Sequence, residues 1–371
     1  MENPSIPATA GQMPSQNYGQ TPHRMLALEE EAGLRKREFW YLWTNINFQS
    51  FSFLLWLLVL PAIIGNIIGI WQSAFGGGAP LSQSGQQFWY SLFANGLAFL
   101  PFFIFRKIKP KALLNNRPDR LKKFMKIQNI LGLFLLVFWF NILAGMFSQW
   151  LSTVIPGGQN SVSGLEYSLT MSGLDKFYYI AAVTIIAPIG EELMYRGGVL
   201  MPLRRYGDGF AILFSGFFFG LMHGNLQQVP GAMAMGMFWG YIACKSDSIL
   251  PGIVLHFLNN ALVTASEIIN LKDVEHLENT GENLSLATGF NLFLNLFVLV
   301  AFVVTIIVIL VTLFKRITKN YRLFGGDYRL ENWYRIKKKY MPNRFLACIA
   351  SPVFWIFFLL CVLIFVSSFL G

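Results

Sequence analysis

Long apolar runs, separated by short polar or basic stretches, dominate the chain. Each holds about twenty residues or more, enough for a helix to cross a hydrocarbon core of about 30 Å. The strict alternation that marks barrel strands is missing, so the pattern predicts an all-α polytopic transmembrane helix bundle. About nine spans are expected, near residues 50–71, 88–106, 127–150, 177–203, 209–223, 230–245, 249–270, 288–314 and 345–370. The spans at 209–223 and 230–245 are short. Gly216, Gly220 and Gly224 fall four apart, as do Ala232, Gly236 and Gly240. Small residues at that spacing let helix backbones approach closely, which predicts a tight inner bundle.

Four regions follow from this pattern. Residues 1–49, polar and rich in Pro, Gln and Ser, are expected to form a disordered cytosolic tail, with no cleavable signal sequence. Residues 50–150 carry three N-terminal transmembrane helices and residues 175–270 a transmembrane core. Residues 288–370 carry two C-terminal helices around a basic cytosolic loop at 315–344. That loop, with Lys337-Lys338-Lys339 among Tyr and Trp, reads first as a topology signal and second as a surface for anionic lipid head groups.

Composition agrees with a membrane protein. Of 371 residues, 54% are apolar and 13% charged, against about 25% charged in soluble domains. The net charge of +10 is explained by basic loops held on the cytosolic side, so no nucleic-acid partner is expected. With the N-terminus cytosolic, all Lys and Arg except Lys176 and Lys272 fall in cytosolic segments or in the spans leading to them. The outer loop 271–287 holds Asp273, Glu275, Glu278 and Glu282. The expected location is the cell membrane. Cys244, Cys348 and Cys361 lie in or beside apolar runs without a CxxC spacing, so neither disulfides nor a thiolate metal site is expected. No internal repeat is evident, which weakens a transporter built from duplicated halves.

Ionisable side chains within spans are costly and mark candidate functional sites. Here they concentrate between residues 191 and 267. The fourth span contains Ala187-Pro188-Ile189-Gly190-Glu191-Glu192-Leu193-Met194-Tyr195-Arg196-Gly197. Glu192 and Arg196, four apart, share a helix face and can pair. Glu191, about 100° round the helix, points elsewhere. Pro188 removes a backbone hydrogen bond just before the two glutamates and should loosen the helix there. The fifth span ends Phe219-Gly220-Leu221-Met222-His223, and the seventh contains His256-Phe257-Leu258-Asn259-Asn260. Glu267 lies about three turns beyond His256.

Counting about 1.5 Å per residue from the cytosolic ends puts Glu191 about 18 Å deep, His223 about 21 Å, His256 about 10 Å and Asn260 about 16 Å. One layer reachable from the cytosol is therefore expected. Glu191 and His223 could hold and deprotonate a water, while His256 and Asn260 donate to the oxyanion of a tetrahedral intermediate. Zinc held by His223, His256 and a Glu is the alternative; the glutamate mechanism needs no cofactor. HExxH is absent, as is a serine elbow. Tyr206-Gly207-Asp208-Gly209 is not a GxGD aspartyl site, because Arg205 precedes it and a second intramembrane Asp is missing.

Glu-Glu-x-x-x-Arg, then Phe-x-x-x-His, then His-x-x-x-Asn, in order on successive helices, resembles the CPBP family, also called Abi. That family includes CAAX prenyl endopeptidases and bacteriocin-processing proteins. The resemblance covers about residues 175–265. It implies an intramembrane endopeptidase acting on a membrane-associated peptide or protein, with all motif positions filled. By that resemblance Glu191 activates water together with His223, and Glu192 and Arg196 form the supporting pair. His256 and Asn260 stabilise the oxyanion, and Phe219 is the aromatic of the second motif. Both metalloprotease and glutamate-protease descriptions exist in the family, so the metal question stays open at this point. Substrate is expected from the cytosolic side or laterally from the bilayer. The alternative function is a non-catalytic transporter or interaction protein using the same cluster to bind a proton or cation.

Overall fold

The computed structural model describes residues 22–75, 117–155, 167–317 and 336–370, with isolated positions between 82 and 114. All regular elements among them are helical. Helix α1 (Pro22–Leu54) passes through a π turn at Leu55–Val59 into α2 (Leu60–Phe75). Then come α3 (Pro118–Phe124), α4 (Ile127–Val154) and α5, a long helix over Gly173–Tyr206. The remainder is α6 (Asp208–Leu221), α7 (Val229–Ser246), α8 (Leu250–Thr280), α9 (Ser285–Ile317), α10 (Arg344–Ile349) and α11 (Pro352–Leu370).

Five helical stretches among the described residues are long and apolar enough to cross a membrane: Leu28–Ile67, Ile127–Val154, Gly173–Tyr206, Leu250–Thr280 and Ser285–Ile307. A sixth is Lys338–Ile349 with Pro352–Ser367, if that pair, bent by 46°, counts as one span. Helix α6 is apolar but has only 14 residues. The chain is thus an all-α membrane bundle. The expected span at 88–106 and most of the basic loop 315–344 lie outside the described residues.

Two expectations need correction. Residues 22–49 are helical, not part of a disordered tail; residues 1–21 lie outside the described chain. The polarity of this stretch is that of a charged helix: Glu29–Glu31 precede Arg35–Arg37 at near-helical spacing, among good helix formers. Further along α1, Leu42, Ile46 and Phe53 are fully or almost fully buried and anchor it in the core. The second correction concerns the outer loop 271–287, most of which is helix. Helix α8 continues to Thr280 and stops where Gly281 adopts φ +73°, its N–H bonding to Leu277 O at 2.8 Å. That left-handed cap suits glycine. Asp273 then accepts from the N–H of Leu284 at 2.6 Å, tying α8 to the start of α9.

Helices α6 and α7 form the tight inner pair. A Cβ at Gly216 would lie 2.8 Å from Met237 N, and one at Gly236 would lie 3.0 Å from Gly216 Cα. The small residues therefore set the distance between the two backbones. Gly224 does not belong to this stripe; it lies beyond α6 in a turn with φ +67°. Phe53, Tyr195 and Phe357 pack against Phe218 and Phe219 of α6, all buried. By contrast, only 6% of the most apolar window of Ser285–Ile307 is buried in the protein, so most of α9 is left to face lipid.

The two ends of the bundle differ in charge. At one end Arg204 lies between Asp208 (2.9 Å) and Asp247 (2.5 Å), all three buried. Arg205 pairs with Glu38 of α1 at 2.5 Å, and Arg344 donates to Tyr206 O at 3.1 Å. Ser248 Oγ and Ile249 N donate to the carbonyls of Leu114 and Leu113, bringing the Arg117–Lys126 stretch to the same end. The opposite end carries Asp273, Glu275, Glu278 and Glu282 along with Lys176 and Lys272.

Candidate active site

Helix α5 is not regular through the motif region. It contains π segments at Ala182–Ile186 and Glu192–Leu200, separated by a short α stretch over Ala187–Glu191. Single-turn widenings of this kind often occur at functional sites. In the first, Ala187 N bonds five residues back to Ala182 O. The next bond in that register would run from residue 188 to Val183 O, but Pro188 has no N–H to give. The side chain of Asn260 fills the gap, its Nδ2 donating to Val183 O at 3.0 Å. The expected loosening at Pro188 thus takes the form of a π turn capped from α8.

Glu192 and Arg196 pair as their spacing predicts, at 3.3 Å, with both side chains fully buried. Arg196 also donates to Gly236 O at 2.9 Å, and its guanidinium centre lies 4.7 Å from the centroid of the Phe219 ring. The second oxygen of Glu192 is buried without a hydrogen-bond partner, facing Gly252, where a Cβ would approach to 2.9 Å. Phe219 is the hub of the layer. Its ring centroid lies 4.9 Å from that of His223 and 6.0 Å from that of His256.

His256 stands between the two glutamates. Its Nδ1 is 3.3 Å from Glu192 and its Nε2 is 3.7 Å from Glu191. Adjacent carboxylates that diverge on α5 therefore converge on opposite edges of one imidazole. Each ring nitrogen of His256 thus faces one carboxylate, the closer approach being that of Nδ1 to Glu192. Trp239 stacks on the same ring at 5.7 Å and 20°.

His223 is held differently. Its Nδ1 lies 2.8 Å from the carbonyl of Phe219. A carbonyl only accepts, so Nδ1 is the donor here, and a neutral ring in this tautomer has its lone pair on Nε2. Asn260 ends a chain of amides: Asn141 donates to Asn259 at 2.8 Å, and Asn259 to Asn260 at 3.3 Å.

One open cavity of about 790 Å³ is lined by Glu191, His223, His256, Asn260 and Glu267, among others. Glu192 and Arg196 lie behind its wall. Asn141, Trp239, Asn259 and Gly252 were not among the expected site residues. Asn141 was detectable by the same rule, being a lone amide in an apolar run; Trp239 offered no polar signal. Glu267, aligned with His256 as its spacing implied, accepts from Tyr179 Oη at 2.8 Å and from the Tyr167 N–H at 3.2 Å.

The cavity lies in the half of the bundle away from the basic end. It is lined by the later half of α4, the first half of α5, the end of α6, the first part of α7, the 225–228 turn and α8 from His256 to Glu267. Among the described residues, no three His, Cys, Asp or Glu side chains are grouped to hold a metal ion.

Residues 173–262 match the family model described as type II CAAX prenyl endopeptidase Rce1-like. The chain is also 21% identical over 258 residues to YdiL of Bacillus subtilis (strain 168), named as a candidate membrane peptidase; the match covers 68% of this chain and 98% of that protein. No solved structure matches. The matched stretch is the one whose three motifs converge on the cavity, and over it the chain is similar to the type II CAAX prenyl endopeptidases.

Proposed function

We propose that this protein is an intramembrane endopeptidase that cuts a membrane-associated peptide or protein by glutamate-activated water, in the cell membrane and with its N-terminus cytosolic. The observation that carries the reading is the opposite fixation of the two histidines. Nδ1 of His223 is tied to a carbonyl, whereas both ring nitrogens of His256 face carboxylates. The first can orient a water through Nε2; the second can donate to developing negative charge.

Glu191, 24% exposed at the cavity wall, takes a proton from a water oriented by His223. The water oxygen bonds to the scissile carbonyl carbon, and the carbonyl oxygen becomes an oxyanion. Nε2–H of His256 and the second amide hydrogen of Asn260 donate to that oxyanion. Glu191 then returns the proton to the amide nitrogen as the C–N bond breaks, leaving an acid and an amine. Glu192 and Arg196 do not touch substrate in this scheme. They position His256 through the Glu192 carboxylate. No step requires a metal.

The test is digestion of a peptide library by purified protein in lipid, comparing wild type with Glu191→Gln. New termini produced by wild type alone are expected. Equal product from both proteins overturns the assignment. Cation flux in the same vesicles that is lost in Glu191→Gln, without cleavage, would favour a transporter.

A further inference from the structure

Glu267 lines the same cavity, eleven residues further along α8 than His256 and seven further than Asn260, about 16 Å and about 10 Å away by helical rise. Both of its hydrogen-bond donors are neutral: the Tyr179 hydroxyl and the Tyr167 backbone N–H. Among the described residues, no Lys or Arg forms an ion pair with it. A carboxylate offers about four acceptor positions, and two are taken. A charge held in a part-buried cavity is costly unless paired, so this one favours a cation more than an exposed glutamate would. The rings of Tyr167 and Tyr179 stand beside it edge to face, 5.4 Å apart, and aromatic faces also attract cations.

We propose that Glu267, with Tyr167 and Tyr179, binds a cationic group of the substrate about three to five residues from the bond to be cut. The spacing follows from an extended chain rising about 3.3 Å per residue over the about 10–16 Å that separate Glu267 from Asn260 and His256. The site lies toward the acidic end of the bundle. The inference rests on the protease reading for its register, but its binding test does not need cleavage. The cation is a Lys or Arg side chain or a free α-amino group.

The experiment measures binding of short fluorescent peptides of Leu, Ala and Ser to the full-length Glu191→Ala variant in lipid nanodiscs. One Lys is moved along the acetylated peptide, with norleucine as its neutral control; a Lys-free peptide is tested with and without acetylation. Binding roughly tenfold tighter for a cationic peptide is expected, with loss of that preference in Glu267→Gln and preference for a Glu-bearing peptide in Glu267→Lys. Gln keeps the acceptor for Tyr179 and removes only the charge. Equal binding of Lys and norleucine peptides, or a preference that survives Glu267→Gln, overturns the proposal; the first comparison needs no Glu267 variant to fold. Cleavage of the same peptides by protein with Glu191 intact is scored separately. Charge-selective binding without cleavage would retire the protease reading and leave the cation site standing.

Discussion

Nδ1 of His256 lies 3.3 Å from a Glu192 oxygen that also pairs with Arg196. This carboxylate thus joins the buried guanidinium on α5 to the imidazole on α8. Removing one partner from a buried pair leaves the other charge uncompensated, at a cost of about 3–5 kcal/mol. Glu192→Gln is therefore expected to lower the unfolding temperature sharply, measured in detergent by intrinsic fluorescence. Glu192→Gln combined with Arg196→Met should recover much of that loss without recovering activity. A single variant as stable as wild type would contradict the role given to this pair.

The Asn260 amide caps the carbonyl that Pro188 leaves bare. Asn260→Ala should cost about 1–2 kcal/mol for an unsatisfied buried acceptor. Pro188→Ala restores an N–H that can reach Val183 O, so it should be less harmful when Asn260 is already Ala. A double-mutant cycle on thermal stability reads the coupling directly. Strictly additive losses would show that the two positions do not serve one carbonyl.

Gly252 gives Glu192 its space. A methyl group there would sit 2.9 Å from Glu192 Oε2, and the carboxylate is already held by Arg196 and His256. Gly252→Ala is expected to lower the catalytic rate more than tenfold while costing about 1–3 kcal/mol, as overpacked cores do. The check is turnover set against melting temperature. Wild-type turnover would mean that Glu192 moves aside without consequence.

Arg204 lies between Asp208 and Asp247 at the basic end. Arg204→Met leaves two buried carboxylates without their shared cation and should cost about 3–5 kcal/mol. Unfolding in detergent measures it. A loss below about 1 kcal/mol, the range of exposed pairs, would show that solvent reaches these carboxylates.

The pairing of Glu192 with Arg196 was legible because it needs only helical spacing on one element. The meeting of Glu191 with His256 was not. It depends on the rotation of α5 against α8, and two π turns alter that rotation. Pro188 marked the weak point, but the bond register around it, and hence Asn260 as its cap, required coordinates. Asp208 was read only as a failed aspartyl motif; its true partner Arg204 is four residues away, a spacing that could have signalled the pair. The 22–49 segment was misjudged because overall polarity outweighed the Glu-to-Arg spacing within it.

The central claim is that the Glu191 carboxylate activates water for peptide cleavage in the membrane. Comparative peptidomics tests it most directly, on membranes holding wild-type protein, Glu191→Ala protein at equal abundance, or neither. The account predicts a set of new peptide termini present with wild type and missing from the other two. The same termini in the Glu191→Ala membranes, at wild-type levels, would contradict it.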